Sequence, residues 1–335
     1  MDQDLKIQLN AAADRLCRAS EGLAASAYAL SEDVKTATPA LREAASIGVW
    51  TGGNPALAGR KDRTAVLVLA FGTTYRETRA KTIEAVEDAI RRAHPDLPVF
   101  EAYTSHIIID RVWKKEGIRK LTPEEALERL AAEGYTRAAV VSLDIIPGLE
   151  YDYNRLAVRR YADRFQALSL STPLMYYQGT EGRPDQVVEF LRALAGQLPS
   201  AGPEEAVLLM AHGTPHPANA YYAVIQDRIR ELGLNHLFVY SVEGRPDLDD
   251  VIPRLKETGI RRVTLMPIML VAGDHAVNDM AGPDPDSHRS RLEAEGFAVS
   301  AWLHGLGENP AVRALYVKRA DEAVAALRTL YPAEK

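Results

Sequence analysis

Cysteine is nearly absent from this chain, which contains the single thiol Cys17. One cysteine excludes an intrachain disulfide and any cysteine-rich zinc or iron–sulfur site, so metal binding must rely on His, Asp and Glu. The sequence also lacks a Walker loop and the G-x-S-x-G, H-E-x-x-H and G-x-G-x-x-G motifs. These absences remove the commonest hydrolase and nucleotide-binding interpretations, and we expect no nucleotide cofactor.

The sequence also lacks dense clusters of positive charge and long apolar runs. The formal net charge is -6 at pH 7, and no dense cluster of Lys and Arg marks a nucleic-acid footprint. No apolar run approaches the length of a membrane span, and the first residues lack the layout of a signal peptide. We therefore expect a cytoplasmic protein that acts on a small molecule, with neither nucleic acid nor membrane as partner. At 335 residues and 47% hydrophobic, the chain is long enough for two globular domains.

One short sequence pattern occurs twice, at residues 66–74 and 207–215, and we call it the duplicated device. Residues 66–74 read Val-Leu-Val-Leu-Ala-Phe-Gly-Thr-Thr, and residues 207–215 read Val-Leu-Leu-Met-Ala-His-Gly-Thr-Pro. Each is a β-favouring run that stops at glycine and a hydroxyl residue before a helix-like stretch, which is typical of a buried parallel strand. The second copy has His212 where the first has Phe71. Open α/β sheets bind ligands at this end of the strands, so His212 is the first candidate for chemistry; its other interpretation is a histidine that satisfies a core hydrogen bond.

Strand and helix patterns alternate through both halves. The predicted first-half elements after the strand from Thr64 are a helix at 77–93, a strand at 98–103, a helix at 123–133 and a strand at 138–143. The predicted second-half elements are strands at 206–211, 237–240 and 263–269 and helices at 218–232, 247–258 and about 309–330. This alternation predicts an α/β fold with parallel sheets, in two similar domains with a cleft between them that suits a large planar ligand.

The domain organisation follows from these patterns. We predict an N-terminal helical extension and linker over residues 1–62, a first α/β half over 63–200, and a second half over 201–335 that includes the closing helix. Residues 1 to about 45 have apolar residues at helical spacing, and turn formers follow at 50–55. We expect this extension to serve packing or assembly, in a homo-oligomer.

Two carboxylates follow the third predicted strand of the first half. Asp144 stands in an otherwise apolar strand end, where an unpaired charge is costly. It is therefore a candidate ligand for a divalent cation or a candidate proton acceptor, and a cap on the next helix is the structural alternative. Glu150 follows on the same loop and is able either to hydrogen-bond a ligand or to cap the helix expected near Tyr153.

Further polar residues follow other strands. Glu243 comes directly after a strand of the second half, and residues 271–279, which include His275, are dense in polar side chains. We interpret the second run as a substrate-facing loop. His106 has the position of a helix-start residue, and His216, in Pro-His-Pro, is interpreted as a solvated loop histidine.

An ordered set of motifs resembles the anaerobic cobalt chelatase (CbiK) family, the sirohydrochlorin cobaltochelatases among the class II chelatases. The resemblance runs from about residue 63 to 325. The motifs are Phe71-Gly72-Thr73-Thr74, Tyr103-Thr104-Ser105, Ile145-Ile146-Pro147-Gly148-Leu149-Glu150-Tyr151, His212-Gly213-Thr214, Val242-Glu243-Gly244, Gly273-Asp274-His275-Ala276 and Gly305-Leu306-Gly307-Glu308-Asn309-Pro310.

The resemblance implies two chelatase-like α/β domains around a tetrapyrrole cleft, and insertion of a divalent metal into sirohydrochlorin on the route to cobalamin. Co²⁺ is the expected metal substrate, with Ni²⁺ or Fe²⁺ as alternatives. In the family, two histidines and a glutamate bind the metal and take up pyrrole protons. His212 matches one histidine, Asp144 stands where the other is expected, and Glu181 is the nearest candidate for the glutamate.

The hypothesis of a sirohydrochlorin chelatase also includes a set of substrate-facing residues. The glycine and hydroxyl turns of the two halves are expected to hold substrate carboxylates, and polar loops complete the cleft. The expected substrate-binding residues are Gly72, Thr73, Thr74, Tyr75, Glu150, Gly213, Thr214, Glu243 and His275.

Asp144 is the one departure at a catalytic position. An aspartate binds a divalent cation through oxygen, but its ordinary pKa of about 3.9 makes it a weaker base than histidine unless its surroundings raise that value. A shift in metal preference or slower turnover would follow. Two alternatives stay open: Asp144 is an engineered substitution, or the chain is a tetrapyrrole- or heme-binding carrier that has reduced or lost metallation.

Overall fold

The computed structural model describes residues 30, 34–180, 182–199 and 201–330. Within these residues the strands are β1 (Trp50–Gly52), β2 (Thr64–Ala70), β3 (Val99–Tyr103), β4 (Arg137–Ser142), β5 (Ala167–Leu170), β6 (Glu205–Ala211), β7 (Leu237–Ser241), β8 (Arg262–Pro267) and β9 (Ala298–Ala301). The α-helices are α1 (Pro39–Ala45), α2 (Arg76–Lys81), α3 (Ile83–Ala93), α4 (His106–Glu116), α5 (Pro123–Ala132), α6 (Leu149–Arg160), α7 (Gln186–Leu194), α8 (Ala220–Glu231), α9 (Leu248–Glu257), α10 (His288–Ala294) and α11 (Pro310–Thr329). A π-helix covers His275–Met280.

The first sheet has the strand order β1-β5-β4-β2-β3. Its last four strands are parallel, and β2 is buried at every residue after Thr64, as expected for a central strand covered by helices on both faces. β1 pairs antiparallel with β5, from Trp50 opposite Leu170 to Gly52 opposite Leu168. The prediction of turn structure at 50–55 is therefore wrong for the first three residues, because they cover the edge that β5 would otherwise leave open.

The second sheet has the strand order β7-β6-β8-β9 and is parallel throughout. It repeats the β3-β2-β4-β5 arrangement of the first sheet, with β6 in the place of β2. The duplicated device therefore forms the two equivalent central strands, and the prediction of two similar α/β units is confirmed.

Several predicted helices differ in their bounds. The helix expected at 77–93 is two helices, α2 and α3, which meet at Thr82. The tight turn at Gly305–Gly307 packs against this break, where a Cβ on Gly307 would lie 2.6 Å from the Thr82 Cα. This close tertiary contact, which the local sequence does not reveal, lies where the continuous helix is interrupted.

The closing helix α11 lies against the first sheet, although its sequence position places it in the predicted second half. The Tyr316 hydroxyl donates to the Leu143 carbonyl at 2.9 Å, and Ser169 Oγ donates to the Ala323 carbonyl at 2.7 Å. The buried Arg319 guanidinium donates to Glu322 on the same helix at 2.7 Å. The helix thereby ties the C-terminal region to the first domain, and the domain boundaries at 62 and 200 stay a prediction.

Little of the predicted N-terminal arm is described. α1 begins after Thr38, whose Oγ1 accepts a hydrogen bond from the Leu41 amide at 3.2 Å. Cys17 and the rest of the arm before residue 34, except residue 30, lie outside the described residues. Among the helices that the structure describes, none combines the length and the apolar character needed to cross a membrane.

Candidate metal and tetrapyrrole site

A cleft of about 420 Å³ opens at the carboxyl ends of the strands in both sheets. Loops after β2, β3 and β4 form one wall, and loops after β6 and β8 form the other. Ligands of parallel α/β sheets bind at this edge because the loops after neighbouring strands converge there. Of the predicted site residues, those lining the cleft are Gly72, Thr73, Thr74, Tyr75, Asp144, Glu150, His212, Gly213, Thr214 and His275.

Two glycines shape the walls at equivalent positions. Gly72 follows β2 with φ 96°, and Gly213 follows β6 with φ 94°, a backbone region that side chains disfavour. A Cβ on Gly72 would lie 2.5 Å from the Tyr103 ring, and one on Gly213 would lie 2.5 Å from the Glu243 backbone. Because each of these residues is glycine, each turn closes tightly over the end of the neighbouring strand. The tight turn brings the residue before the glycine, Phe71 or His212, to the cleft.

Three residues of the second half form a group able to hold a metal ion, and we call His212, Glu243 and His275 the metal-binding group. One candidate ligand atom from each of His212, Glu243 and His275 lies within 4.8 Å of the others. The two imidazole rings meet edge to face with centroids 4.7 Å apart, and His212 Nδ1 lies 4.0 Å from Glu243 Oε2. Because β6 lies between β7 and β8, the loops that carry the three residues come together at one sheet edge.

Hydrogen bonds orient the imidazoles of His212 and His275. His212 Nδ1 lies 3.1 Å from the Gly213 carbonyl, and His275 Nδ1 lies 2.5 Å from Asp279 Oδ2. A carbonyl or carboxylate oxygen accepts, so Nδ1 is the donor in each ring and the neutral imidazole keeps the lone pair on Nε2. A metal-binding histidine commonly has such an orienting partner on its other nitrogen.

Asp144 lies in the same cleft but outside that group. Its Oδ2 accepts hydrogen bonds from Ser142 Oγ at 2.6 Å and from the buried Asn154 Nδ2 at 2.8 Å. Burial raises the pKa of Asp144 to about 6; the bonds from Ser142 and Asn154 oppose the rise, and the charge of Glu150 adds to it. The carboxyl group therefore titrates close to the range of an ordinary histidine.

The position of Asp144 differs from the predicted strand end. β4 stops at Ser142, so Asp144 lies just beyond the strand, on the loop that leads to α6. α6 begins at Leu149, earlier than the helix start expected near Tyr153, and its first turn contains Glu150. The early start brings Asn154 back to the carboxylate, a contact that the strand pattern alone does not show.

The hydroxyl turns have the same local structure in both halves. The Tyr75 amide donates to Thr73 Oγ1 at 3.2 Å, and the His216 amide donates to Thr214 Oγ1 at 3.2 Å. Each threonine oxygen thus stabilises its own turn and keeps an O–H proton for another acceptor. The Tyr75 hydroxyl also donates to Asp274 Oδ1 at 3.2 Å, which links the two walls directly.

The remaining predicted candidates have mixed outcomes. His106 is the first residue of α4, as expected. His216 lies on the loop between β6 and α8, as expected, and its side chain is 29% exposed. Its Nε2 lies 3.3 Å from Asp152 Oδ2 across the two halves, a contact that the sequence does not show. Glu181, the expected third metal ligand, lies outside the described residues. Its role stays a prediction.

Sequence reasoning missed several cleft residues. Phe71, 49% exposed, and Arg111 on α4 line the cleft. The polar run at 271–279 contained Asp279, but its hydrogen bond with His275 was not expected. Phe71 had a usable signal, because it occupies the position of His212 in the duplicated device. The sequence around Arg111 contains no motif that marks it as a cleft residue.

Sequence comparison with known proteins assigns this chain to a family. Residues 64–325 match the cobalt chelatase (CbiK) family. The chain is 40% identical over 262 residues to a sirohydrochlorin cobaltochelatase of Salmonella typhimurium. The aligned region covers 78% of this chain and 97% of that protein. It is 35% identical over 267 residues to the sirohydrochlorin cobaltochelatase CbiKC of Nitratidesulfovibrio vulgaris, covering 78% and 91% of the two chains.

A solved structure agrees at the level of the fold. SirB from Bacillus subtilis with Fe3+ superposes with a TM-score of 0.50 at 15% identity, covering 81% of this chain and all of that one. The family match covers every strand of both sheets except β1, and it includes His212, Glu243 and His275. The chain belongs to the cobalt chelatase (CbiK) family.

Proposed function

We propose that this protein inserts Co²⁺ into sirohydrochlorin. The observation that carries the proposal is the group of His212, Glu243 and His275 at the wall of a cleft open to a planar ligand, in a chain of the CbiK family. The names of the two relatives supply the metal and the macrocycle. Both the metal and the tetrapyrrole are substrates.

The metal-binding group suits an ion that must be released again. Two imidazole nitrogens and one carboxylate oxygen are good ligands for divalent Co²⁺, and with only three protein ligands they leave positions for water and then for pyrrole nitrogen. Each side chain of the group is at least partly exposed, so a hydrated ion has access to it. We infer that this group receives the ion and presents it to the macrocycle.

Asp144 supplies the complementary chemistry. Metallation releases pyrrole N–H protons, and a base with a pKa near the working pH accepts them most effectively. Burial raises the pKa of Asp144 to about 6, so the carboxyl group is mostly ionised at pH 7 and can take up a proton. In this proposal Asp144 acts as the base and the second half binds the metal.

The macrocycle is assigned to the space between the two walls. Phe71 offers an apolar surface for one face of the ring, while His212 approaches from the equivalent position of the opposite half. The O–H groups of Thr73 and Thr214 are available to peripheral carboxylates. Glu150 and Tyr75 lie at the same cleft and complete the predicted substrate-binding set.

A metallation assay tests the proposal. Protein and sirohydrochlorin are mixed with Co²⁺, Ni²⁺ or Fe²⁺ in turn, and the change in macrocycle absorbance is followed against the uncatalysed rate. We expect acceleration with Co²⁺, loss of that acceleration in His212→Ala, and nearly full activity in His304→Ala, a histidine outside the cleft. A wild-type rate equal to the uncatalysed rate with all three metals would reject the proposal.

The carrier alternative makes a different prediction in the same assay. A protein that has lost metallation with its second histidine would bind sirohydrochlorin without metallating it, and Asp144→His would create activity. Under our proposal the parent protein is already active and Asp144→His changes mainly the dependence of the rate on pH. The cytoplasmic location and homo-oligomeric state remain predictions that this assay does not address.

A further inference from the structure

The charges along the cleft are unevenly distributed. Negative side chains on its walls are Asp144, Glu150 and Asp274, and Glu243 lies beside them in the metal-binding group. Among the described lining residues, the only Lys or Arg is Arg111. A carboxylate-bearing ligand therefore meets like charge over most of the cleft and a fixed positive charge at one place.

Arg111 is placed on the wall opposite the metal-binding group. It lies on α4, which follows β3 of the first half, on the same helix face as Ile107 and Ile108, and all three line the cleft. The side chain is exposed and forms no hydrogen bond or ion pair with any described residue. The fold does not use this guanidinium, so it is available to a ligand.

We infer that Arg111 binds a peripheral carboxylate of the tetrapyrrole and so determines which edge of the ring enters the cleft on the α4 side. This inference rests on the proposed function. A guanidinium pairs with a carboxylate through two parallel hydrogen bonds, which fixes orientation as well as adding affinity.

This assignment defines the class of macrocycle that the site selects. A ring whose rim carries free carboxylates gains the contact with Arg111, whereas the same ring with esterified side chains does not. Arg111 is thus a specificity-determining residue that acts on binding, at a distance from the metal-binding group. Its removal should raise KM and leave kcat unchanged.

The test compares Arg111→Ala with wild type and with Arg92→Ala. Arg92 is an exposed arginine in the last turn of α3, about 14 Å along that helix from the cleft residue Ile83, and it controls for the loss of one positive charge. Binding of metal-free uroporphyrin and of its methyl ester is measured by fluorescence titration. Co²⁺ insertion into sirohydrochlorin gives KM and kcat for the same proteins.

We expect Arg111→Ala to weaken uroporphyrin binding and raise KM by about fivefold at low salt, with less effect at high salt. Arg92→Ala should match wild type, Arg111→Lys should restore part of the loss, and the ester should bind wild type and Arg111→Ala equally. Equal uroporphyrin affinity in Arg111→Ala and wild type, or an equal loss in Arg92→Ala, would overturn the inference. Wild-type protein that binds uroporphyrin but does not metallate sirohydrochlorin would reject the proposed function, while the titration still decides the role of Arg111.

Discussion

The two halves of this protein share a backbone design and differ in chemistry. Each has a central buried strand, a left-handed glycine and a threonine-stabilised turn, yet the residue before the glycine is Phe71 in one half and His212 in the other. The neighbouring loops differ in the same way, because the second half adds Glu243 and His275 while the first half has Asp144 and Arg111. We propose from this comparison that the halves share the frame of the cleft and differ in role, with metal binding by His212, Glu243 and His275 in the second half and proton uptake by Asp144 in the first.

Exchanging the residue types at the equivalent positions 71 and 212 should give the largest change in the rate of Co²⁺ insertion. His212→Phe removes a proposed metal ligand, and we expect Co²⁺ insertion to fall by about a hundredfold or more, the scale typical of losing a group essential to the reaction. Phe71→His should retain metallation at a reduced rate, because the metal-binding group of the second half stays intact. Comparable losses in both variants, measured by macrocycle absorbance, would contradict the separation of roles.

Substitutions of Gly72 and Gly213 test whether the two equivalent turns are needed for the stability of the fold. Gly213→Ala places a Cβ 2.5 Å from Glu243 backbone, whereas Gly72→Ala places one 2.5 Å from the Tyr103 side chain. Both positions have positive φ, so we expect each substitution to lower the free energy of unfolding by about 2 kcal/mol or more.

The Gly213 variant should be the less stable of the two, because a backbone neighbour is less able to move than a ring. Urea denaturation of both proteins measures the difference. Greater stability in Gly213→Ala than in Gly72→Ala would contradict this explanation, which rests on the rigidity of the Glu243 backbone.

Replacing Asp144 should change the free energy of unfolding by an amount that depends on pH. Its pKa is about 6 in the folded protein, above the ordinary value that applies when the chain is unfolded, so folding favours the protonated form. The associated stability is fully present at low pH and is lost as pH rises through about 6. Asp144→Asn should therefore be more stable than wild type at pH 7.5 by about 1–2 kcal/mol, with little difference near pH 4.

The same variant tests the catalytic role of Asp144. Asparagine takes up no proton, so Asp144→Asn should slow Co²⁺ insertion at pH 7.5, and the wild-type rate should fall as pH drops through about 6. Denaturation curves and metallation rates at both pH values provide the data. An unchanged rate in Asp144→Asn would remove the carboxylate from proton uptake.

The smallest expected effect concerns the contact between the two walls. Tyr75→Phe removes the hydrogen bond to Asp274 at 3.2 Å, and we expect a loss of about 0.5–1 kcal/mol in unfolding free energy. Asp274 also accepts a hydrogen bond from Asn278 Nδ2 at 2.9 Å, so the loop that carries His275 keeps one support. A large loss of Co²⁺ affinity in this variant would mean that the first half contributes to the metal-binding group.

The sequence predicted the frame better than the grouping of the ligands. The repeated strand and glycine pattern located β2, β6 and His212, because buried parallel strands have a strong local signature. The group of His212, Glu243 and His275 depends on the order of β7, β6 and β8 in the sheet, which no single strand specifies. Local patterns therefore identified the candidate residues, and tertiary structure decided which of them meet.

Asp144 illustrates the limit in another way. Its residue type was read correctly as a costly carboxylate, but its partner Asn154 depends on the start of α6 at Leu149. The turn formers at 50–55 likewise concealed β1, whose pairing with β5 is a tertiary event. Arg111 had no local signal at all, since an unpaired arginine on an amphipathic helix is ordinary in sequence.

Co²⁺ titration of the metal-free protein tests the central claim most directly, with visible absorption reporting the ligands of the bound ion. We predict that His275→Ala weakens Co²⁺ binding by about tenfold or more, as expected for loss of one of three ligands, whereas Asp144→Ala binds Co²⁺ as wild type does. Strong loss of Co²⁺ binding in Asp144→Ala together with wild-type binding in His275→Ala would contradict the account.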